Sequence, residues 1–249
     1  MKIIVIAAGS GKRLGKNSEN VPKYLLDVNG RTILEYQLAV FKKYNFEKII
    51  IVTGSHKEKF VDKKFTLVED VNYNKHDILG SLMEARKHIK NDVLIVYSDI
   101  IFDDSILKQV VESDVDIGIA IDLDWEKAYE LRTEHPKTEA ENVLLDKNRN
   151  LLEIKKNIQF HQGKTVGEFL GILKLSKNGA DIFIKKFEEL EKFHTNAFHM
   201  APSLEKAYLT DMIQELIDSK IKVTPIIVSG KWCEIDTMQD LQRAAKMFQ

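Results

Sequence analysis

Short runs of β-branched residues alternate with segments of helical period along most of this 249-residue chain. The runs lie at residues 2–7, 48–53, 65–69, 93–97, 117–121, 167–175 and 222–228. Helical periods lie at 33–44, 78–89, 180–193, 210–217 and 238–248, and Thr32 is placed to cap the first of these helices. Strands that alternate with helices form parallel sheets covered on both faces. The pattern predicts an α/β fold whose twisted, mostly parallel sheet is flanked by helices.

Composition limits the class of protein. Hydrophobic residues make up 44% of the chain, enough for one large core, and no repeat or Gly/Ser linker divides it, so we expect a single domain over residues 1–249. The 37 Lys and Arg residues balance 38 Asp and Glu residues, which argues against a nucleic-acid partner. No apolar run reaches the roughly 20 residues of a membrane span, and a single cysteine, Cys233, suits a reducing compartment. We expect a cytoplasmic protein without membrane insertion.

The first strand leads into a loop with three glycines, GSGKRLGKNSENVPKY. A dinucleotide-binding fingerprint needs a covering helix directly after its glycines, and the polar run with Pro22 leaves no apolar face for one. A Walker loop fails on spacing, because Asn17 follows the Gly-Lys pair. Glycine lets the backbone approach a phosphate, and Lys12, Arg13 and Lys23 supply positive charge. The loop is either a triphosphate-binding cradle or a plain connection with solvated basic residues.

Two separated motifs carry a family resemblance. IIVIAAGSGKRL followed by ENVPKYLL resembles the A-A-G-x-G-x-R-L and P-K signature of the sugar-nucleotide-type nucleotidyltransferases. The resemblance implies a Rossmann-like nucleotidyltransferase fold of the GT-A type. It also implies that Arg13 and Lys23 are the catalytic cations, which contact the β/γ-phosphates and the α-phosphate. The residues that it assigns to the nucleotide are Ala7, Ala8, Gly9, Ser10, Gly11, Lys12, Arg13 and Lys23.

Two aspartates are candidate metal ligands. Asp99 ends the apolar stretch DVLIVYSD, and Asp236 lies in EIDTMQDL before a predicted helix. Taken alone, Asp99 fits a turn cap and Asp236 fits the N-terminal acid of that helix. The resemblance implies instead that both bind Mg²⁺, which prefers carboxylate and phosphate oxygens.

The segment NKHDILGSLMEA is the candidate contact for the nucleotide base. In the family, the corresponding stretch passes along the base, and this assigns Gly80 and Ser81 to nucleotide binding. The same two residues also fit the start of a helix without any ligand.

The C-terminal half resembles the cytidylyltransferases that activate phosphocholine or 2-aminoethylphosphonate, in the segments IDLDWEKAYELRTEHPKTEAENV, GEFLGILKLSKNGA and GKWCEIDTMQDLQRA. This resemblance implies CTP as donor, a small phosphate- or phosphonate-bearing acceptor and release of pyrophosphate, and it leaves a homodimer open. Acids and aromatic rings suit an amine on the acceptor, and basic residues suit its anionic end. The candidates are Asp122, Asp124, Trp125, Glu168 and Asp211 for the amine, and Arg132 and Lys156 for the anion.

The sequence alone is also compatible with three other functions. A sugar-1-phosphate nucleotidyltransferase that uses UTP, dTTP or GTP would carry the same N-terminal signature. A regulatory module could keep the fold and bind a nucleotide without turnover, although the presence of Arg13, Lys23, Asp99 and Asp236 argues against it. A dinucleotide-dependent oxidoreductase is the third alternative.

Overall fold

Strands and helices alternate in the computed structural model, which describes residues 1–9, 21–54, 59–60, 65–159 and 162–249. The strands are β1 (Lys2–Ala7), β2 (Asp27–Val28), β3 (Arg31–Thr32), β4 (Lys48–Thr53), β5 (Thr66–Glu69), β6 (Val93–Tyr97), β7 (Ile100–Phe102), β8 (Ile117–Asp122), β9 (Glu141–Leu145), β10 (Leu151–Lys156), β11 (Thr165–Leu175), β12 (Thr224–Ile227) and β13 (Trp232–Glu234). The helices are α1 (Ile33–Phe41), α2 (Ile78–Glu84), α3 (Asp104–Glu112), α4 (Lys177–Phe193), α5 (Leu209–Asp218) and α6 (Met238–Met247).

The largest sheet has the order β10-β9-β11-β6-β1-β4-β5, with β8 beside β11 and β12 beside β8. Strands β6, β1, β4 and β5 are parallel to one another, whereas β11 runs antiparallel to β6, β8 and β9. The predicted α/β fold with helices on a central, mostly parallel sheet is confirmed. Each antiparallel pair of this large sheet involves β9, β10 or β11, which come from the C-terminal half.

Strand β1 shows why the centre of the sheet forms. All six of its residues are buried, and alternate side chains enter two different hydrophobic clusters, with Ile4 and Ile6 in one and Ile3 and Val5 in the other. A strand buried on both faces reads as a continuous apolar run. Burial of each such side chain contributes about 1.5–3 kcal/mol relative to exposure. The apolar run at the N-terminus therefore fixes the middle of the sheet.

Helix α1 begins where the sequence predicted. The Thr32 hydroxyl oxygen accepts a hydrogen bond from the Glu35 backbone N–H at 3.1 Å, and a Glu35 carboxylate oxygen accepts one from the Thr32 N–H at 2.7 Å. These reciprocal bonds satisfy two backbone donors that the helix itself leaves free.

Several elements differ from the sequence prediction. Helix α3 and strands β9 and β10 were not predicted, and the helix predicted over 78–89 ends at Glu84 before a 3-10 turn at Arg86–His88. The charged segment that joins β8 to β9 contains short 3-10 turns at Trp125–Tyr129 and Lys137–Glu139. Within the described part of the chain, no helix has both the length and the apolar character to cross a membrane.

A short ribbon outside the large sheet brings distant parts of the chain together. Strands β7 and β13 pair antiparallel, with Ile100 opposite Glu234. One residue further along, the Ile235 backbone N–H donates to the Asp99 carbonyl oxygen at 2.8 Å. The ribbon therefore sets the segment after β13 directly beside the end of β6.

Candidate active site

A cavity of about 290 Å³ opens beyond the carboxyl ends of β1 and β6, and we call it the main cavity. It is lined by Ile6, Ala7, Ala8, Gly9, Lys23, Tyr24, Tyr73, His76, Asp77, Ile78, Ser81, Tyr97, Ser98, Asp99, Tyr208 and Asp236. In open α/β sheets, ligands bind at this edge of the strands. Of the predicted nucleotide and metal contacts, the structure thus brings together seven residues: Ala7, Ala8, Gly9, Lys23, Ser81, Asp99 and Asp236. Ser10, Gly11, Lys12 and Arg13 lie outside the described residues.

Lys23 joins the two aspartates at the floor of this cavity. Its ammonium nitrogen lies 2.8 Å from Asp99 Oδ2 and also donates to Asp236 Oδ1. The Asp99 side chain remains 26% exposed, whereas the Asp236 side chain is only 4% exposed. The carboxylates therefore converge on one point, although the residues are remote in the sequence.

The Lys23 ammonium interacts with three neighbouring carboxylates. Burial by itself lowers the pKa of the Lys23 ammonium, but the carboxylates of Asp99, Asp236 and Glu234 outweigh it and hold the pKa above its ordinary value. Lys23 is therefore a permanent cation at neutral pH. A cationic group close to anionic oxygens can exchange one anion for another, such as a phosphate, without a change of protonation.

Asp236 also belongs to a group with metal-binding potential. His135 Nδ1 lies 3.1 Å from Asp236 Oδ2, and His135 Nε2 lies 3.7 Å from Glu234 Oε2. These three residues can place one donor atom each within 4.8 Å of one another, as can Asp70, His76 and Glu84 elsewhere. Carboxylate oxygens suit Mg²⁺ or Mn²⁺, and an imidazole nitrogen broadens the set of metals. The donor set around Asp236 therefore fits a divalent cation.

A buried ion pair between Arg132 and Asp240 fixes the position of the Asp236 backbone. Asp240 Oδ2 accepts hydrogen bonds from the N–H groups of Asp236 at 3.1 Å and Thr237 at 2.9 Å. Asp240 Oδ1 accepts from Arg132 Nε at 2.5 Å, and Arg132 Nη2 lies 3.3 Å from Glu234 Oε2. The Arg132 side chain is 1% exposed and lines neither the main cavity nor the smaller pocket described below. Its position does not support the predicted contact with an acceptor anion, because its donors are committed to these acids.

Ser81 and Gly80 differ in their surroundings. The Ser81 hydroxyl lines the main cavity and donates to Asp70 Oδ2 at 2.7 Å, while His76 Nδ1 lies 3.0 Å from both Asp70 oxygens. A Cβ added at Gly80 would lie 2.7 Å from the Glu205 carbonyl oxygen and 2.9 Å from the His76 side chain. Close packing against these neighbours therefore explains Gly80 without a ligand, and its role at the base stays a prediction.

A smaller pocket of about 20 Å³ adjoins the main cavity, and the two share Tyr97 and Asp99. We call it the acidic pocket, and it is lined by Tyr97, Asp99, Ile100, Glu141, Glu168, Phe169, Leu170, Gly171, Trp232 and Glu234. Glu168, the foremost predicted acceptor contact, thus lies beside the main cavity. Glu141 and Glu234 were missed. Glu234 could have been predicted from the sequence, because it lies two positions before Asp236 and alternate residues of an extended chain share a face. No neighbouring motif identifies Glu141 as a site residue.

Burial raises the pKa of every glutamate in this pocket. Burial and then the charge of Glu234 place the pKa of Glu168 well above its ordinary value, although Glu168 Oε1 accepts a hydrogen bond from the Tyr129 hydroxyl at 2.6 Å. The same two causes raise the pKa of Glu141 to about 8, and the Tyr97 hydroxyl donates to its Oε2 at 3.2 Å. Burial followed by Asp236 and Asp99 raises the pKa of Glu234. The glutamates therefore hold protons more readily than ordinary glutamates do, and a cation bound in the pocket would favour their ionised form.

The other predicted amine contacts on the β8 side lie outside the two cavities. The Asp124 side chain is 76% exposed and pairs with Lys127 at 3.1 Å. Asp122 Oδ2 accepts from Trp232 Nε1 at 2.7 Å, and Trp125 is buried in the core. Asp122 therefore supports a wall of the acidic pocket through Trp232, while Asp124 faces solvent.

Asp211 and Lys156 both contact Tyr208, which lines the main cavity. Asp211 accepts hydrogen bonds from the N–H groups of Tyr208 at 2.8 Å and Met200 at 3.2 Å, which orders the start of α5. The Lys156 ammonium lies 5.1 Å from the centre of the Tyr208 ring and 3.0 Å from Glu139 Oε2. Asp211 thus holds a wall residue, and contact of Lys156 with an acceptor anion stays a prediction.

Comparison with known proteins shows which family of proteins this chain resembles. Residues 3–124 match the MobA-like NTP transferase domain. The chain is 23% identical to the CTP:phosphoglutamine cytidylyltransferase of Campylobacter jejuni, over 97% of this chain and 98% of that protein. It is 30% identical to the bifunctional protein GlmU of Methanococcus maripaludis, over 100% of this chain and 54% of that protein, so it spans about half the length of that relative.

A solved structure shows the same fold. The CTP:phosphocholine cytidylyltransferase of Streptococcus pneumoniae superposes with a TM-score of 0.73 at 19% sequence identity, over 100% of this chain and 99% of that chain. The resemblance to nucleotidyltransferases that the N-terminal motifs predicted is confirmed.

Proposed function

Because this chain is an enzyme of the nucleotidyltransferase class, we propose that it transfers CMP from CTP to a small acceptor that bears a phosphate or phosphonate, with release of pyrophosphate. We also propose that residues 1–249 act as one catalytic domain. The convergence of Lys23, Asp99 and Asp236 on the main cavity carries the proposal. The choice of CTP rests on relatives whose names specify CTP.

The reaction is substitution at the α-phosphorus. An acceptor oxygen forms the new bond to that phosphorus, and the bond to the bridging oxygen of the leaving pyrophosphate breaks, so the pyrophosphate takes the electron pair. An anionic phosphate or phosphonate oxygen is already a nucleophile and needs no protein base. The barrier is mainly repulsion between anions, which fixed cations and correct positioning reduce.

Lys23 supplies a fixed cation for this substitution. Its ammonium is held by carboxylates at the floor of the main cavity and is charged at neutral pH. When a triphosphate enters, the ammonium moves from the carboxylates to the α-phosphate oxygens, where charge develops in the transition state. This exchange leaves Asp99 and Asp236 free to bind a metal.

The two aspartates fit a Mg²⁺ ion. Their carboxylate oxygens are hard ligands, and both face the space occupied by the Lys23 ammonium, so a divalent cation there would replace a positive charge that the acids already hold. A bound Mg²⁺ supplies neutralisation of the phosphate oxygens and orients the triphosphate. Asp240 and Arg132 keep the Asp236 backbone in place for this role.

Pyrophosphate release measured for CTP, UTP, dTTP and GTP tests the proposal. Each triphosphate is paired with phosphocholine, ethanolamine phosphate, 2-aminoethylphosphonate and glucose 1-phosphate, with and without Mg²⁺. We expect turnover with CTP and a non-sugar acceptor that depends on Mg²⁺. Strict activity with glucose 1-phosphate and dTTP or UTP would overturn it.

A sugar-1-phosphate nucleotidyltransferase is the second candidate. A similar fold favours it, because a proposed glucose-1-phosphate thymidylyltransferase of Bacillus anthracis superposes with a TM-score of 0.74 at 19% sequence identity. The same panel distinguishes the two candidates, because they differ in both the preferred triphosphate and the preferred acceptor.

A further inference from the structure

We infer that the acidic pocket binds an ammonium group that carries N–H bonds, a primary or secondary amine of the acceptor, and excludes a trimethylammonium group. This inference rests on the proposed function, because it assigns the acceptor's cationic end. Its position supports it: the acidic pocket and the main cavity share Tyr97 and Asp99. A molecule whose phosphate lies beside Lys23, next to Asp99 in the main cavity, can therefore place a second group among the glutamates through a short linker.

An unsatisfied oxygen in the pocket calls for a hydrogen-bond donor. Glu168 is 4% exposed, and although its Oε1 accepts from Tyr129, its buried Oε2 has no hydrogen-bond partner among the described residues. A buried acceptor without a donor is costly, and native proteins seldom leave one unexplained. An ammonium N–H supplies the missing donor. A quaternary ammonium has no N–H and cannot.

The charge of the pocket favours a cation. Glu141, Glu168 and Glu234 line it together, and the charge of Glu234 raises the pKa of the other two after burial. The nearby cations are already paired, Arg132 with Asp240 and Lys156 with Glu139. A ligand ammonium would therefore take the place of the protons that these glutamates hold more readily than usual, and the resulting charge-assisted hydrogen bonds are stronger than neutral ones.

The size of the pocket separates ammonium from trimethylammonium. Its volume of about 20 Å³ is close to the space that a single water molecule needs. An ammonium group has roughly the size of water, whereas three methyl groups need several times that space. The walls Phe169 and Trp232 are buried and packed, so the pocket cannot widen without moving the core.

Binding of matched acceptors tests the inference separately from turnover. Isothermal titration calorimetry on the full chain, saturated with Mg²⁺ and a non-hydrolysable α,β-methylene analogue of CTP, compares three kinds of probe. They are 2-aminoethyl and 3-aminopropyl phosphate, their hydroxyl counterparts 2-hydroxyethyl and 3-hydroxypropyl phosphate, and phosphocholine. We expect at least one amine probe to bind about 10- to 100-fold more tightly than its hydroxyl counterpart and than phosphocholine.

Variants of the pocket glutamates test whether the preference for an amine arises in the acidic pocket. Glu168→Gln keeps the shape of the side chain and removes its charge, so the ratio of amine to hydroxyl affinity is expected to fall towards one. Glu141→Gln is the second variant, in case Glu168→Gln does not fold, and circular dichroism checks both. Glu191→Gln, on an exposed side chain paired with Arg86, is the matched control and should keep the wild-type ratio.

The outcomes separate the two proposals. Equal affinity for amine and hydroxyl probes, tighter binding of phosphocholine, no binding of any probe, or an unchanged ratio in both pocket variants overturns the inference. Amine-selective binding without pyrophosphate release from CTP leaves the inference standing and overturns the proposed function. Turnover of CTP without a preference for amine acceptors leaves the proposed function standing and overturns the inference.

Discussion

The main cavity and the acidic pocket meet at Tyr97 and Asp99, but the chain builds them in different ways. Most of the main cavity comes from the first half, where parallel strands end at a common edge and one local motif supplies Ala7, Gly9 and Lys23. The glutamates of the acidic pocket come from three separate strands, β9, β11 and β13, two of them antiparallel partners in the large sheet. The main cavity, which we propose for the nucleotide, is thus encoded locally, and the acidic pocket, which we propose for the acceptor's amine, is encoded by topology.

This difference matters for specificity. The family match covers residues 3–124, which include the local motif but none of the three glutamates of the acidic pocket. A chain can therefore keep the chemistry of the first half and change its acceptor by substitutions in strands of the second half. Asp236 is the exception, because a residue of the second half completes the floor of the main cavity.

Lys23→Ala is expected to have the largest effect, and it tests the nucleotide side. Loss of the cation that faces the α-phosphate should lower kcat by about 100- to 1000-fold, with a smaller change in the affinity for CTP. Steady-state pyrophosphate release measures both. Lys43→Ala, at an exposed lysine paired with Asp104, is the control. Unchanged turnover in Lys23→Ala would show that this cation takes no part in the substitution at phosphorus.

Arg132→Met tests whether the second half supports the metal site through packing. Removal of one partner leaves the Asp240 carboxylate buried without its cation, and the free energy of unfolding should fall by about 3–5 kcal/mol. Urea unfolding followed by circular dichroism measures it. The double variant Arg132→Met with Asp240→Asn should recover part of the loss, because the uncompensated charge is gone. A single-variant loss below about 1 kcal/mol would show that the pair is not a structural support.

Glu141→Gln tests whether the acidic pocket disfavours an ionised glutamate, and it has the smallest expected effect. The pKa of Glu141 is about 8 in the folded protein, above its ordinary value of 4.5, because of burial and the charge of Glu234. The proton therefore favours the folded state below pH 4.5, and this stability is lost as the pH rises through 8.

The wild type should consequently lose about 2–4 kcal/mol more free energy of unfolding than Glu141→Gln between pH 5 and pH 9. Urea unfolding at both pH values measures the difference, and Glu191→Gln should behave like the wild type. The same loss in the wild type and in Glu141→Gln would mean that burial and the neighbouring charges do not raise the pKa of Glu141.

The contrast between the two regions also explains what the sequence predicts. Strands β1, β4 and β6 form where continuous apolar runs lie, because strands buried on both faces leave that pattern. Thr32 marked the start of α1, and the structure adds its reciprocal hydrogen bonds with Glu35. Strand β10, LLEIKK, alternates buried and partly exposed residues among charges, and its pattern is too weak to separate it from a loop.

The convergence in the site depends on contacts that no local pattern contains. Asp99 and Asp236 meet because β7 pairs with β13, and both strands have only three residues. Arg132 reads as a free basic residue in a charged segment, but its burial against Asp240 became visible only in the fold. Local motifs therefore predicted which residues of the first half line the main cavity, and tertiary contacts decided where the residues of the second half lie.

The central claim is that Asp99 and Asp236 together bind the divalent cation that accompanies the triphosphate. Mn²⁺ takes the same oxygen ligands as Mg²⁺, and the relaxation rate of water protons rises when Mn²⁺ is bound to a protein in the presence of CTP. We predict that Asp99→Asn and Asp236→Asn each weaken this binding by about tenfold or more, while Asp104→Asn binds as the wild type does. Wild-type Mn²⁺ affinity in both active-site variants would contradict the account.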